Sequence, residues 1–358
     1  MSHRKPLPIP PRRGVSVLIT CGLITCGLIS LLAGCQAEYD PPSLIKAVRV
    51  IGVRAEPPWI GAEPTVITPK AVGAPAGAQL CWSWELCPFT WTDDGNFRCF
   101  DPLLRVDLGH EAVANVSNLH VFQSLIHIDE VFAKNGLDLS DLGQGEPGET
   151  DPNACKQAPE VEVSILFKVV DTSQTGGSCP TDGAGDVEAF CADRDHCVRG
   201  FKKLHWINQP DDQAYLVHAN PNLDGVTMGG VEWPQALTPT VADGSKWPIE
   251  PAWPAESIET VEPKPCTVTK AKPESLLFSW FSTAGDFDAQ RSFDEFPDNT
   301  FLPQVRGSAS SQEVSVWVVA RDGRNGTAWL ERQLTVTKGT VAAGNPLCAM
   351  DPSLAGCP

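Results

Sequence analysis

Cysteine is the residue type in this 358-residue sequence whose chemistry is easiest to name. Ten of its 13 cysteines are spread from Cys81 to the C-terminus: Cys81, Cys87, Cys99, Cys155, Cys179, Cys191, Cys197, Cys266, Cys348 and Cys357. Thiolates either hold a metal or pair as disulfides, and the redox compartment decides between these. Cys179, Cys191, His196 and Cys197 are of the types that zinc accepts. No CxxC pair accompanies them, so disulfides are the expectation and no cofactor is expected. Cys348 with Cys357 is the pairing favoured locally, since both lie in a polar tail away from the others. Asp286, Asp288, Asp294 and Glu295 could offer oxygens to a calcium ion between loops, although acidic loops more often form a solvated face. Asn220 to Gly225 begins like a calcium loop, but its twelfth place is Val231 where a bidentate Glu belongs. Three Trp-Pro pairs begin at Trp233, Trp247 and Trp253. Exposed indoles there could stack on sugar rings; the competing reading has them cover the edge of a domain.

Catalytic patterns are missing. Six histidines follow residue 100: His110, His120, His127, His196, His205 and His218. None forms HExxH, and no GxSxG elbow, Walker loop or dinucleotide glycine pattern occurs. The expectation is a non-enzyme. The competing class is an envelope carbohydrate-active hydrolase whose site is assembled from scattered acidic residues.

Charge and the N-terminus place the chain. Residues 1–34 carry Arg4, Lys5, Arg12 and Arg13 and no acid; without them the net charge moves from −17 to −21. So acidic a chain repels phosphate backbones, which excludes nucleic acid as an expected partner. The basic start, the apolar run GVSVLITCGLITCGLISLLAG and the acidic, Pro-rich sequence beyond have an export layout. Leu32-Ala33-Gly34-Cys35 resembles the bacterial lipobox. The resemblance implies that residues 1–34 are a signal peptide, that Cys35 is acylated and becomes the first residue, and that the membrane is a partner through its lipid. Gln36 is not the aspartate associated with inner-membrane retention, so the outer membrane of a Gram-negative cell is expected. Removing Cys21 and Cys26 and acylating Cys35 leaves the ten cysteines above, an even number in an oxidising space.

The elements that would position these residues are mostly strands. With 32 Pro and 30 Gly, the composition favours turns over long helices. Residues 35–44 form a lipidated tether reaching about 30 Å when extended. A first domain spans 45–207. In it, Leu80, Trp82, Trp84 and Leu86 alternate with Cys81, Ser83, Glu85 and Cys87, and Val161, Val163, Ile165, Phe167 and Val169 repeat the pattern. Leu119, Phe122, Leu125, Ile126 and Phe132 have near-helical spacing, which predicts one helix, and 172–200 is a Cys-rich insert before a closing strand at 201–207. A linker is expected at 208–222, a second domain at 223–337 and a polar tail at 338–358. In the second domain Val314, Val316 and Val318 lead into a turn with Asp-Gly and Asn-Gly, a hairpin signature. FSWFSTAG and VSVWVVARDGRNG resemble the central strand and final hairpin of immunoglobulin-like or PKD-like modules of bacterial surface proteins. That resemblance implies a mainly β protein of two immunoglobulin-like sandwiches, the first with a helical and a Cys-rich insertion, used for adhesion, scaffolding or ligand binding. It carries over no catalytic residue.

Overall fold

The computed structural model describes residues 41–91, 97–137, 160–173, 179, 191, 197–208, 213–263 and 270–358. The lipobox with Cys35, and also Cys155, His196 and Cys266, lie outside these residues.

The chain is mainly β. One sheet of the first sandwich has the order β1 (Arg49–Glu56), β3 (Thr65–Val72), β8 (Ala114–Val116). The facing sheet runs β2 (Trp59–Ile60), β10 (Cys197–Trp206), β9 (Val161–Asp171), β4 (Leu80–Cys87), β7 (Val106–Gly109). A small hairpin, β5 (Thr90–Trp91) with β6 (Arg98–Cys99), lies between β4 and β7 in sequence. In the second sandwich, β11 (Gly225–Met228), β14 (Trp247–Ala252) and β20 (Asn299–Leu302) are flanked by β12 (Val231–Glu232) and β18 (Asp286–Phe287). The opposing order is β13 (Thr240–Ala242), β22 (Thr327–Thr337), β21 (Ser311–Arg321), β17 (Leu277–Ser282), β19 (Arg291–Phe293). A further pair joins β15 (Thr260–Val261) to β16 (Lys272–Pro273).

Lettered in the immunoglobulin manner, both halves place A-B-E against A′-G-F-C-C′. In each half the short A′ strand runs parallel to G, while the other sandwich strands pair antiparallel. The architecture is thus used twice, although no repeat is visible in the letters.

Alternation explains the cores. Trp82, Trp84 and Leu86 of β4 are buried with Val163, Ile165, Phe167 and Val169 of β9, as their phase requires. Leu276, Phe278 and Trp280 meet Val314, Val316 and Val318 in the second core. The β21–β22 hairpin turns through Gly323 (φ 80°) and Asn325 (φ 84°), where the two dipeptides supply left-handed backbone.

The long F strands are largely buried on both faces. On β21, Trp317 and Val319 point away from the core and form a separate buried cluster with Ile45, Ile51 and Val72 of the first sandwich, with Phe281 and Trp329 packed alongside. Gly52 makes this approach possible, since a Cβ there would stand 3.2 Å from the Trp329 ring. On β9, Ser164, Leu166, Lys168 and Val170 are buried on the outer face. Disulfides Cys87–Cys99, Cys81–Cys179 and Cys191–Cys197 are anchored on that same face of β4 and β10.

Two expectations are corrected. The single helix is two short ones, α1 (Asn118–Leu125) and α2 (Ile128–Lys134), which bury Val121, Val131 and Phe132 while Leu119, Phe122 and Ile126 stay exposed. Helices this short bury less than a full stripe. The tail is not an appendage: Leu347, in a helical turn at Pro346–Met350, is fully buried in the second core, and Cys348–Cys357 closes around it. No helix among the described residues is long and apolar enough to cross a membrane, which does not bear on a β-barrel.

Candidate functional site: a cleft between the sandwiches

From Pro41 to Pro358 the chain is one compact unit. Where the open edge of the first sandwich, between β1 and β10, meets the β21–β22 turn, there is a cleft of about 460 Å³. Among the described residues its lining includes Arg199, Lys202, Lys203 and Arg321 and no acidic side chain. In a molecule with 44 acidic and 27 basic residues, that concentration of one sign sets the cleft apart. Phe97 and Phe201, with ring centroids 5.0 Å apart, supply an apolar wall.

Strand register explains each position. Arg199, Phe201 and Lys203 point to the outer face of β10, whereas Lys202 shares the inner phase of Leu204 and Trp206. β10 has a sandwich neighbour beyond its edge only at His205 and Trp206, where β2 pairs with it, so the preceding residues border the cleft. Gly200 carries no side chain where a Cβ would meet the Phe167 ring.

Lys202 is 8% exposed. Its ammonium donates to the Asn325 carbonyl and, at 3.0 Å, to the Thr327 hydroxyl, both in the opposing turn. Burial pushes its pKa down to about 8; nearby Asp322 opposes that shift and Arg321 adds to it. Arg321 donates to the Ser279 hydroxyl (3.0 Å) and, across the junction, to the Ile51 carbonyl (2.7 Å). Arg199 donates to the Cys191 carbonyl at 2.5 Å, and Lys203 pairs with Glu162 at 2.6 Å.

Behind the turn lies a buried charged cluster. Arg324 is bonded to Glu259 at 2.6 Å and to Glu274. Burial raises the Glu274 carboxyl pKa, against the pull of Arg324. Asp322 accepts the backbone N–H groups of Arg324 and Gly326, each at 2.8 Å. His218, buried nearby with its Nδ1 2.8 Å from the Leu216 carbonyl, has its pKa lowered mainly by burial. Asn220 bridges the halves: its amide donates to the Ala55 carbonyl (2.6 Å) and its carbonyl accepts the Thr327 N–H (2.9 Å).

The residues singled out in the sequence fare differently. Cys348–Cys357 forms as expected, alongside three other disulfides. Cys179, Cys191 and Cys197 are consumed by disulfides, so they offer no thiolates to zinc. Asp286, Asp288, Asp294 and Glu295 are not gathered round a point. Asp286 accepts the Phe287 N–H, and Asp294 accepts the Leu276 N–H and the Ser275 hydroxyl, so both carboxylates are engaged by nearby protein groups. The calcium-like start at Asn220 is the interdomain strut just described. Among the described residues one group of three possible metal ligands falls within 4.8 Å, namely Glu85, Cys87 and Cys99. Its thiols are joined to each other, and Arg105 and Lys168 stand 3.5 and 3.7 Å from Glu85. Of the tryptophans, Trp233 is 0% exposed and donates its indole N–H to the Leu237 carbonyl, which removes it as a sugar contact, while Trp247 and Trp253 pack half-buried against the second core. Proline stiffens these segments so that the indoles cover the core. The cleft itself was missed; its signal was Lys202, a charge in the apolar phase of a strand.

No family model and no curated protein matches the chain. Solved structures that resemble it include Drosophila N-cadherin EC1-4 (8% identity, 81% of this chain, 50% of that one, TM-score 0.18) and the human desmocollin-1 ectodomain (11%, 83%, 39%, 0.18). DIP-gamma IG1+IG2 is a third (8%, 82%, 99%, 0.15). The chain thus spans half or less of the two cadherin-type chains. Such TM-scores carry no argument, and the immunoglobulin-like fold rests on the strand order.

Proposed function

We propose that this is a non-catalytic lipoprotein of the cell envelope, held by acyl chains on Cys35 and using two fused sandwiches to bind a ligand in the cleft between them. The cleft carries the reading: four cations and two aromatic rings converge in an otherwise acidic molecule. The lipobox-like Leu32–Cys35 and the disulfides support an oxidising space outside the inner membrane, with the outer membrane favoured by Gln36. Two or three acyl chains, at roughly 0.8 kcal/mol per buried methylene, give a stable anchor. The fused junction supports a scaffold in which the two sandwiches that border the binding surface are packed against each other. Glu259 and Glu274 are both bonded to Arg324, an arrangement that ties loops together rather than one that moves protons.

Cells expressing the protein and fed an alkyne-tagged palmitate should label it, and Cys35→Ala should abolish the label and leave precursor of higher mass. Labelled Cys35→Ala protein would overturn the anchor.

A further inference from the structure

Resting on the reading of the cleft as a binding site, we propose that its ligand is a ring carrying a single carboxylate, an aromatic acid or an acidic sugar. The volume of about 460 Å³ suits a small organic molecule. The Phe97–Phe201 pair offers a ring face on the wall that also carries Arg199 and Lys203. Lys202 supplies the grip. An ammonium has three donors; two are taken by the Asn325 carbonyl and the Thr327 hydroxyl, and the third has no acceptor among the described residues. Arg321 is held by two bonds to its terminal nitrogens, so it contributes fixed charge. One negative charge suits the balance better than two, because Glu162 already offsets Lys203 and buried Asp322 stands near Lys202.

Among the described residues, the charged groups around Lys202 are Arg199 and Lys203 on its own strand and Arg321 and Asp322 from the opposing hairpin; the β1 wall, Val50–Val53, carries none. A bound anion favours the charged amine, so affinity should hold steady below about pH 8 and fall above it.

Isothermal titration of detergent-solubilised full-length protein with benzoate, glucuronate, acetate and inorganic phosphate tests this. At least one ring carboxylate should bind tenfold or more tighter than acetate and phosphate, and benzoate against glucuronate tells aromatic from sugar. Lys202→Met and Phe201→Ala should each weaken binding at least tenfold. If Lys202→Met fails to fold, Lys203→Gln, at an exposed position, should still weaken it severalfold with an unchanged melting temperature. Equal affinity for acetate and the ring acids, or preference for phosphate, overturns the ligand class while leaving a binding cleft. No heat with any of the four overturns both.

Discussion

His218 is buried with its imidazole held below its ordinary pKa, mainly by desolvation. The unfolded chain takes up that proton at about pH 6.5 while the folded chain resists it. Stability from this group is therefore full above 6.5 and lost as pH falls below it. Glu274 works in the opposite sense: its raised pKa lets the folded state take a proton first, returning some stability on further acidification. Thermal melts should show the melting temperature falling from pH 7 towards pH 5, with the slope visibly reduced in His218→Gln. An unchanged slope would remove His218 from the account. Nothing in the run Val217-His218-Ala219 announces this, because the charged neighbours that act on it, Glu259, Asp322 and Arg324, are 41 to 106 residues away in sequence. Lys202 was more legible, since a lysine in phase with Leu204 and Trp206 breaks an apolar face. Its partners on the turn were not.

At the level of elements, the disulfides divide by what they close. Cys81–Cys179 links residues 98 apart, from β4 into the F–G connection, whereas Cys348–Cys357 spans 9. On chain-entropy grounds the long closure stabilises by about 4.7 kcal/mol and the short one by about 2.7, a gap of about 2 kcal/mol. Denaturant melts of the double Ser replacements should show the larger loss for Cys81/Cys179; equal losses would indicate that packing over β9, rather than closure, dominates. The strands and the final hairpin were legible because period-two alternation and Asp-Gly/Asn-Gly turns are local signals. The helix was read as one because its apolar spacing is continuous, yet the chain breaks at Ile126-His127, and Leu119, Phe122 and Ile126 of the expected stripe face solvent. Periodicity records apolar residues without saying which of them find something to pack against.

Across the whole molecule, the cluster of Ile45, Ile51, Val72, Trp317 and Val319, with Arg321 and Asn220 reaching across, makes the two sandwiches one cooperative body. Scanning calorimetry should give a single transition. Trp317→Ala, which removes a side chain 4% exposed and costs about 3–5 kcal/mol by the usual range for such truncations, should split it in two. Two transitions in the unaltered protein would contradict this coupling. The sequence by itself determined the mainly β class, the inward faces of β4, β9, β17 and β21, and the final hairpin, each of which depends on residues a few positions apart. Only the tertiary structure decided that the same strand order occurs twice, that Trp233 belongs to a core, and that the second apolar face of β21 is an interface. It also decided that cations from β10 and β21 share one cleft. These depend on contacts between segments far apart in the chain, and chain alternation carries no information about which covered face meets which.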